Sequence, residues 1–294
     1  MSAEFRGSMP ALVTPFADGG VDWTALESLV ERQIAEGSHG LVPVGTTGES
    51  STLSHEEHEQ VVEAVVKISK GRAPVIAGAG SNNTIESIRL AKFAENAGAD
   101  AVLTVAPYYN RPSQEGMYAH FKAIHDAIGL PIILYNVPAR TSSDLSVDTV
   151  ARLAELPRIA GIKDASTDLA RPSQTRLRVK EDFVQLSGED GTALAFNAAG
   201  GRGCISVTAN VAPRLCSELQ EATLAGNFEK GRQLQDRLMP LHDALFAEPS
   251  PAPVKAALAL LGLCKNEVRS PIAPATANCE QQLRKALIHA GLLN

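Results

Sequence analysis

The 294-residue chain has no apolar run long enough to cross a bilayer. Its longest extends only from Ala256 to Leu263, against the ~20 residues a spanning helix needs. Residues 1–10 (MSAEFRGSMP) hold no apolar segment of the secretory kind. Cysteine is scarce and scattered: Cys204, Cys216, Cys264 and Cys279 form no C-x-x-C pair. They read as reduced, buried thiols and not as a disulfide framework or metal ribbon. No lysine- or arginine-rich block is present and the formal net charge is -6, which argues against a nucleic-acid footprint. A soluble cytoplasmic protein with neither membrane nor nucleic acid as partner is expected. Several catalytic motifs are missing too. Val13-Thr-Pro-Phe16 is no dinucleotide-binding G-x-G-x-x-G turn, and there is no G-x-S-x-G elbow. In His55-Glu-Glu-His58 the histidines are three apart, so neither zinc-helix spacing is formed. Ser54 and Glu57 instead form a capping box that puts both histidines in the first turn of a helix, as solvated residues.

What is present is an alternation. Strand-like runs occur at Ala11–Thr14, Gly40–Val44, Val75–Gly78, Ala101–Ala106, Ile132–Asn136, Ile159–Lys163, Phe183–Ser187 and Gly203–Thr208. Amphipathic segments such as Trp23–Ala35, His55–Ser69, Ile85–Ala97, Gln114–Ile128 and Val147–Leu156 lie between them. Most of the runs lack period-2 alternation, the pattern of parallel strands buried on both faces. Eight βα units in succession predict an α/β protein of the closed (β/α)8 TIM barrel type. Beyond Pro213 the pattern is helical, at Arg214–Ala225, Phe228–Phe246, Val254–Leu261 and Cys279–Leu292. The expected division is a barrel over 1–225 and a small C-terminal helical domain over 226–294.

In such a barrel the chemistry sits at the C-terminal ends of the strands. Lys163 closes the apolar run Ile159-Ala-Gly-Ile162. Burial disfavours the ammonium form of a lysine, the condition under which it becomes an amine nucleophile toward a carbonyl. The other strand ends carry Gly45-Thr-Thr-Gly-Glu-Ser50, Pro107-Tyr-Tyr-Asn-Arg-Pro112, Tyr135, Arg140, Gly188-Glu-Asp-Gly191 and Ile205-Ser-Val-Thr208. Glycines around Thr46 and Thr47 let backbone N–H groups and two hydroxyls face an anion such as a carboxylate. The planar fork of Arg140 suits a second carboxylate. Each alone has a plain alternative: a turn threonine, a core tyrosine, a surface arginine.

From Ser8 to the last helix the chain resembles the 4-hydroxy-tetrahydrodipicolinate synthase (dihydrodipicolinate synthase) family of pyruvate-dependent Schiff-base lyases. That superfamily includes N-acetylneuraminate lyase and the 2-keto-3-deoxy sugar acid aldolases. The matching motifs are Gly45–Ser50, Pro107–Pro112, Tyr135-Asn-Val-Pro-Ala-Arg140, Gly161-Ile-Lys163, Leu186–Gly188 and Gly203–Thr208. The resemblance implies that Lys163 forms a Schiff base with pyruvate, which then adds to L-aspartate 4-semialdehyde in the diaminopimelate route to lysine. It implies a proton relay of Tyr135, Thr46 and Tyr109, with Tyr109 reaching into a neighbouring subunit. Thr47 and the backbone at Ile205 would hold the pyruvate carboxylate, Arg140 that of the semialdehyde, and the Gly188 carbonyl would line the pocket. It implies no metal or organic cofactor, a homotetramer built as a dimer of dimers, and feedback inhibition by L-lysine at Ser51, His55, His58, Asn82, Glu86 and Tyr108. His55 and His58 are expected to make that inhibition pH-dependent near neutrality. The alternatives are a Schiff-base aldolase of a 2-keto-3-deoxy sugar acid, and a non-catalytic regulatory paralogue. The basic, proline-bearing stretch Ala170–Arg178 has no role in any of these readings.

Overall fold

The computed structural model describes residues 4–294. The strands are β1 (Gly7–Pro10), β2 (Phe16–Ala17), β3 (Gly20–Val21), β4 (Ile76–Gly78), β5 (Ala101–Val105), β6 (Ile132–Asn136), β7 (Ile159–Asp164), β8 (Val184–Ser187) and β9 (Gly203–Ser206). The helices are α1 (Trp23–Ala35), α2 (His55–Ser69), α3 (Thr84–Asn96), α4 (Gln114–Ala127), α5 (Pro138–Thr141), α6 (Val147–Ala154), α7 (Arg171–Arg176), α8 (Ala193–Ala198), α9 (Pro213–Leu224), α10 (Phe228–Leu245), α11 (Ala252–Leu260) and α12 (Ala277–Ala290).

Seven strands form one parallel sheet in the order β1-β9-β8-β7-β6-β5-β4. Its two edges are joined through Leu41, bridged to Val75, and Val42, bridged to Ala11. Leu12 N–H donates to the Val42 carbonyl at 2.9 Å and Gly78 N–H to that of Pro43 at 3.1 Å, which closes a (β/α)8 barrel. Two expected strands need correction. The first lies at Gly7–Pro10, paired with β9, and not at Ala11–Thr14. The second is reduced to two bridged residues of Gly40–Val44, because Val44 turns to a φ of 49°, outside the extended region. The β2–β3 hairpin, pairing Phe16 with Val21 and Ala17 with Gly20, has no counterpart among the expected strands.

Side chains alternate between two cores. Met9, Val42, Ile76, Leu103, Ile133, Tyr135, Leu186 and Ile205 pack together inside the barrel. Val75, Val102, Ile132, Leu134, Ile159 and Ile162 pack under the helices. A third core joins Val13 and Leu29 to α10, α11 and α12 through Leu238, Leu241, Val254, Leu258, Leu283 and Leu287. Helix ends follow local rules: Ser54 accepts from Glu57 N–H at 3.1 Å while Glu57 Oε2 accepts from Ser54 N–H at 2.9 Å, the expected capping box. Among the described residues no helix is long and apolar enough to cross a membrane.

One irregularity turns Lys163 into the barrel. Ile159 and Ile162 both face the helices though they are three residues apart, which a regular period-2 strand forbids. The pairing shifts from Ile132↔Ile159 to Ile133↔Gly161, so β7 carries one extra residue. Such a bulge reverses which residues face inward beyond it. Without it Lys163 would share the face of Ile159, beneath the helices.

Candidate active site

Lys163 is 6% exposed and pairs with Tyr135 across β7 and β6. Its Nζ lies 4.1 Å from the centroid of the Tyr135 ring. Gly188 makes room for it: a Cβ there would fall 3.0 Å from Lys163 Cε and 2.7 Å from the Ala165 Cβ. The next carboxyl, Glu189, is raised above the usual range by burial and by Asp190, against the pull of Lys163.

Ile205 is buried in β9, and the chain beyond it wraps one carboxylate. Asp190 accepts from Ser206 Oγ at 2.5 Å, Val207 N–H at 2.9 Å and Thr208 N–H at 3.1 Å. The Gly45–Ser50 loop folds on itself: Gly48 and Glu49 N–H donate to the carbonyls of Gly45 and Thr46, each at 3.1 Å, and Ser50 N–H to that of Gly45. That leaves the amides of Thr46 and Thr47 outside the set. Thr47 is buried and Thr46 exposed.

The loop is fixed from the far end of the chain. Glu49 takes Lys255 Nζ at 2.5 Å and Arg269 N–H at 2.9 Å, with Lys255 and Glu49 almost wholly buried. Lys255 Nζ and Arg269 Cζ also lie 3.8 and 4.2 Å from the Phe16 ring centroid. Burial lowers the pKa of Lys255 and the Glu49 carboxylate opposes that shift. Arg269 then grips Glu57 of α2 with two bonds of 2.6 Å.

A cavity of about 540 Å³ opens beside this loop. Thr46 and Arg140 line it together with Ser51, His55, His58, Glu86 and Tyr108. Asn82 stands next to it, its side-chain amide donating to the Tyr108 carbonyl at 3.2 Å. Lys163 and Tyr135 are not in its wall. Glu86 is held below the usual carboxylate range by the Ser81 hydroxyl and by His55, whose Nε2 is 2.8 Å away. The two histidines part company. His55 is exposed, whereas His58 is 6% exposed and burial lowers it to about 4. His58 is therefore neither a solvated residue nor a titrating group near pH 7, which corrects both expectations.

The single chain does not assemble the whole relay. Tyr109 is 89% exposed at a φ of 68°, and among the described residues no hydrogen bond joins it to Thr46 or Tyr135. Lys255, Arg269 and Asp190 were missed by sequence reasoning. For Lys255 the signal was there: a lone lysine in the apolar run Val254–Leu261 is the same cue that singled out Lys163.

A parallel (β/α)8 barrel with one buried strand-end lysine over a phenol at its mouth defines the lysine-dependent lyases. The chain belongs to the dihydrodipicolinate synthetase family, whose model matches residues 4–290. It is 62% identical over 290 residues, 99% of this chain and 100% of the relative, to 4-hydroxy-tetrahydrodipicolinate synthase of Parvibaculum lavamentivorans. The dihydrodipicolinate synthase of Acinetobacter baumannii, solved with pyruvate, superposes with a TM-score of 0.97 at 47% identity, covering 99% of this chain and 100% of that one. That of Cyanidioschyzon merolae, solved with lysine bound, gives 0.95 at 40% identity, covering 98% and 99%.

Proposed function

We propose that this chain condenses pyruvate with L-aspartate 4-semialdehyde to form 4-hydroxy-tetrahydrodipicolinate, the diaminopimelate-route step toward lysine. The observation that carries this is the Lys163 amine, buried inside the barrel with Nζ 4.1 Å from the Tyr135 ring centroid. Lys163 adds to the ketone carbon of pyruvate, and loss of water gives an imine. Loss of a methyl proton turns the imine into an enamine. The enamine carbon attacks the aldehyde carbon of the semialdehyde, whose oxygen takes up a proton and becomes the 4-hydroxyl. The semialdehyde's amine then attacks the imine carbon, closes the ring and releases Lys163.

Tyr135, Thr46 and Tyr109 move the protons. Thr47 and the Ile205 backbone hold the pyruvate carboxylate, the Gly188 carbonyl lines the pocket, and Arg140 takes the semialdehyde carboxylate bidentately. The exposure of Tyr109 supports its completing a neighbouring subunit's site, and the assembly proposed is a homotetramer, a dimer of dimers. Sedimentation equilibrium tests that assembly. Working in the cytoplasm, the enzyme divides into a barrel over 1–225 and a helical domain over 226–294.

L-Lysine is the proposed feedback inhibitor. Glu86, kept ionised by Ser81 and His55, supplies the anion for the ligand's ammonium, and Asn82 and Tyr108 supply polar partners. Ser51, His55 and His58 complete the wall, and the shared cavity with Thr46 and Arg140 supports the coupling to catalysis. In a calorimetric titration with pyruvate present, lysine is expected to bind cooperatively and Glu86→Ala to abolish binding. Silence at millimolar lysine would retire the regulatory site. Incubation with pyruvate and borohydride, then peptide mass spectrometry, tests the catalytic reading: the adduct is expected on Lys163 and nowhere else.

A further inference from the structure

The basic stretch after β7 divides sharply. Arg176 and Arg178 are exposed, bonded to the Ala199 carbonyl and to Asp148, but Arg171 is 8% exposed and turned into the protein. Its Nε donates to Asp164 Oδ2 at 2.9 Å, Nη2 to the Leu145 carbonyl at 2.6 Å and Nη1 to Asp144 Oδ2 at 3.4 Å. Asp164 directly follows Lys163. Asn136 directly follows Tyr135, and the two followers are register partners. Asn136 Nδ2 donates to Asp144 Oδ1 at 2.8 Å, and Leu145 N–H donates back to Asn136 Oδ1 at 2.9 Å. Asp164 Oδ1 accepts from Ser166 N–H at 2.8 Å, and its backbone carbonyl from Gly188 N–H at 2.7 Å.

We propose that Arg171 is a positioning residue for the amine–phenol pair, a role that rests on the Schiff-base reading above. It closes a ring of Asn136, Asp144, Arg171 and Asp164 around the outer side of the barrel mouth. Successive strand residues face opposite ways, so a grip on Asn136 and Asp164 from outside fixes the rung from which Tyr135 and Lys163 project inward. The ring also reaches the loop leaving α5, which carries Arg140, and through Asp164 it reaches Gly188. One side chain thus ties together four candidate site residues without touching substrate. A guanidinium can do this because its planar fork meets two carboxylates and a carbonyl at once; a lysine ammonium is a point donor on a flexible stem.

The test compares wild type with Arg171→Lys, Arg171→Ala and Asp144→Asn, each assayed well below its own Tm. The readouts are the rate of borohydride trapping with pyruvate and the split between kcat and KM. Misplacing a reacting group by about 1 Å costs up to roughly a hundredfold in rate. Arg171→Lys keeps the charge and is expected to fold, yet to trap pyruvate some ten- to a hundredfold more slowly, with kcat falling far more than KM. Asp144→Asn loses one anchor at a half-exposed position and is expected to slow trapping severalfold. Should Arg171→Ala fail to fold, these two carry the test. Wild-type trapping rates in Arg171→Lys and Asp144→Asn overturn the proposal. So does a loss that merely follows the unfolded fraction. If wild type itself traps no pyruvate on Lys163, the Schiff-base reading falls first and the positioning role with it; normal wild-type trapping with unaffected variants removes the positioning role alone.

Discussion

Deleting the Lys163 amine tests the proposed Schiff base. Lys163→Ala keeps Tyr135, the proposed carboxylate site and the barrel, so it is expected to show unchanged circular dichroism, no mass shift after pyruvate and borohydride, and turnover reduced by at least about a thousandfold. Arg140→Ala tests the contact proposed for the other substrate. If Arg140 holds the semialdehyde carboxylate, losing a bidentate charged contact of roughly 1.5–3 kcal/mol is expected to raise the KM for the semialdehyde ten- to a hundredfold, leaving the pyruvate KM within about twofold. A larger effect on pyruvate would mean that the two carboxylate sites are exchanged. At this scale the sequence speaks where a residue breaks the polarity of its surroundings: Lys163 stands out against Ile159–Ile162, and the fold buries it inside the barrel. Sequence reading passed over Arg171 and Asp164, because charged residues in a loop look solvated until the fold shows both to be buried. It misjudged His58 for the same reason, since capping-box spacing fixes the helix end and says nothing about what packs on it.

The elements were legible to different degrees. α1 and α2 lie where the 3.6-residue periodicity puts them, because an apolar stripe and a capping side chain are both local. β1 was misplaced because Gly7-Ser-Met-Pro10 has little strand propensity of its own; its position comes from pairing with Gly203–Ser206, far along the chain. The extra residue in β7 was equally hidden, although Gly161 now explains itself. A Cβ there would lie 2.3 Å from the Val184 carbonyl oxygen. Gly161→Ala is therefore expected to push β7 away from β8 and disturb the inward turn of Lys163. The variant should lose more than about tenfold in pyruvate-trapping rate while its helical content stays near wild type. Wild-type trapping by Gly161→Ala would show that the bulge tolerates a side chain.

For the whole molecule, buried histidines set the response to acid. Burial lowers His58 and His120 from 6.5 to about 4 in the fold. Between these values the unfolded chain holds protons that the native state lacks, so stability falls as pH drops from about 6.5 and the loss is complete near pH 4. Each histidine accounts for roughly 3 kcal/mol over that window. Glu57, depressed by its bonds to Arg269, adds a loss of the same sign below the usual carboxylate value. The urea midpoint is expected to decline steadily from pH 7 to 4, and His120→Gln to flatten the curve. A midpoint independent of pH over that range would mean that both rings titrate alike in the folded and unfolded chain.

The bonds from Lys255 and Arg269 to Glu49 and Glu57 have a consequence in time. A ribosome delivers the chain from its N-terminus, so the threonine loop emerges long before the two cations that fix it. β1 likewise waits for β9. The nascent protein therefore carries an open sheet with one exposed edge on either side and an unsecured threonine loop, an interval in which strand edges recruit other chains. The Gly45–Ser50 loop therefore reaches its final anchorage only after the segment from Lys255 to Arg269 has been made and has docked over Phe16.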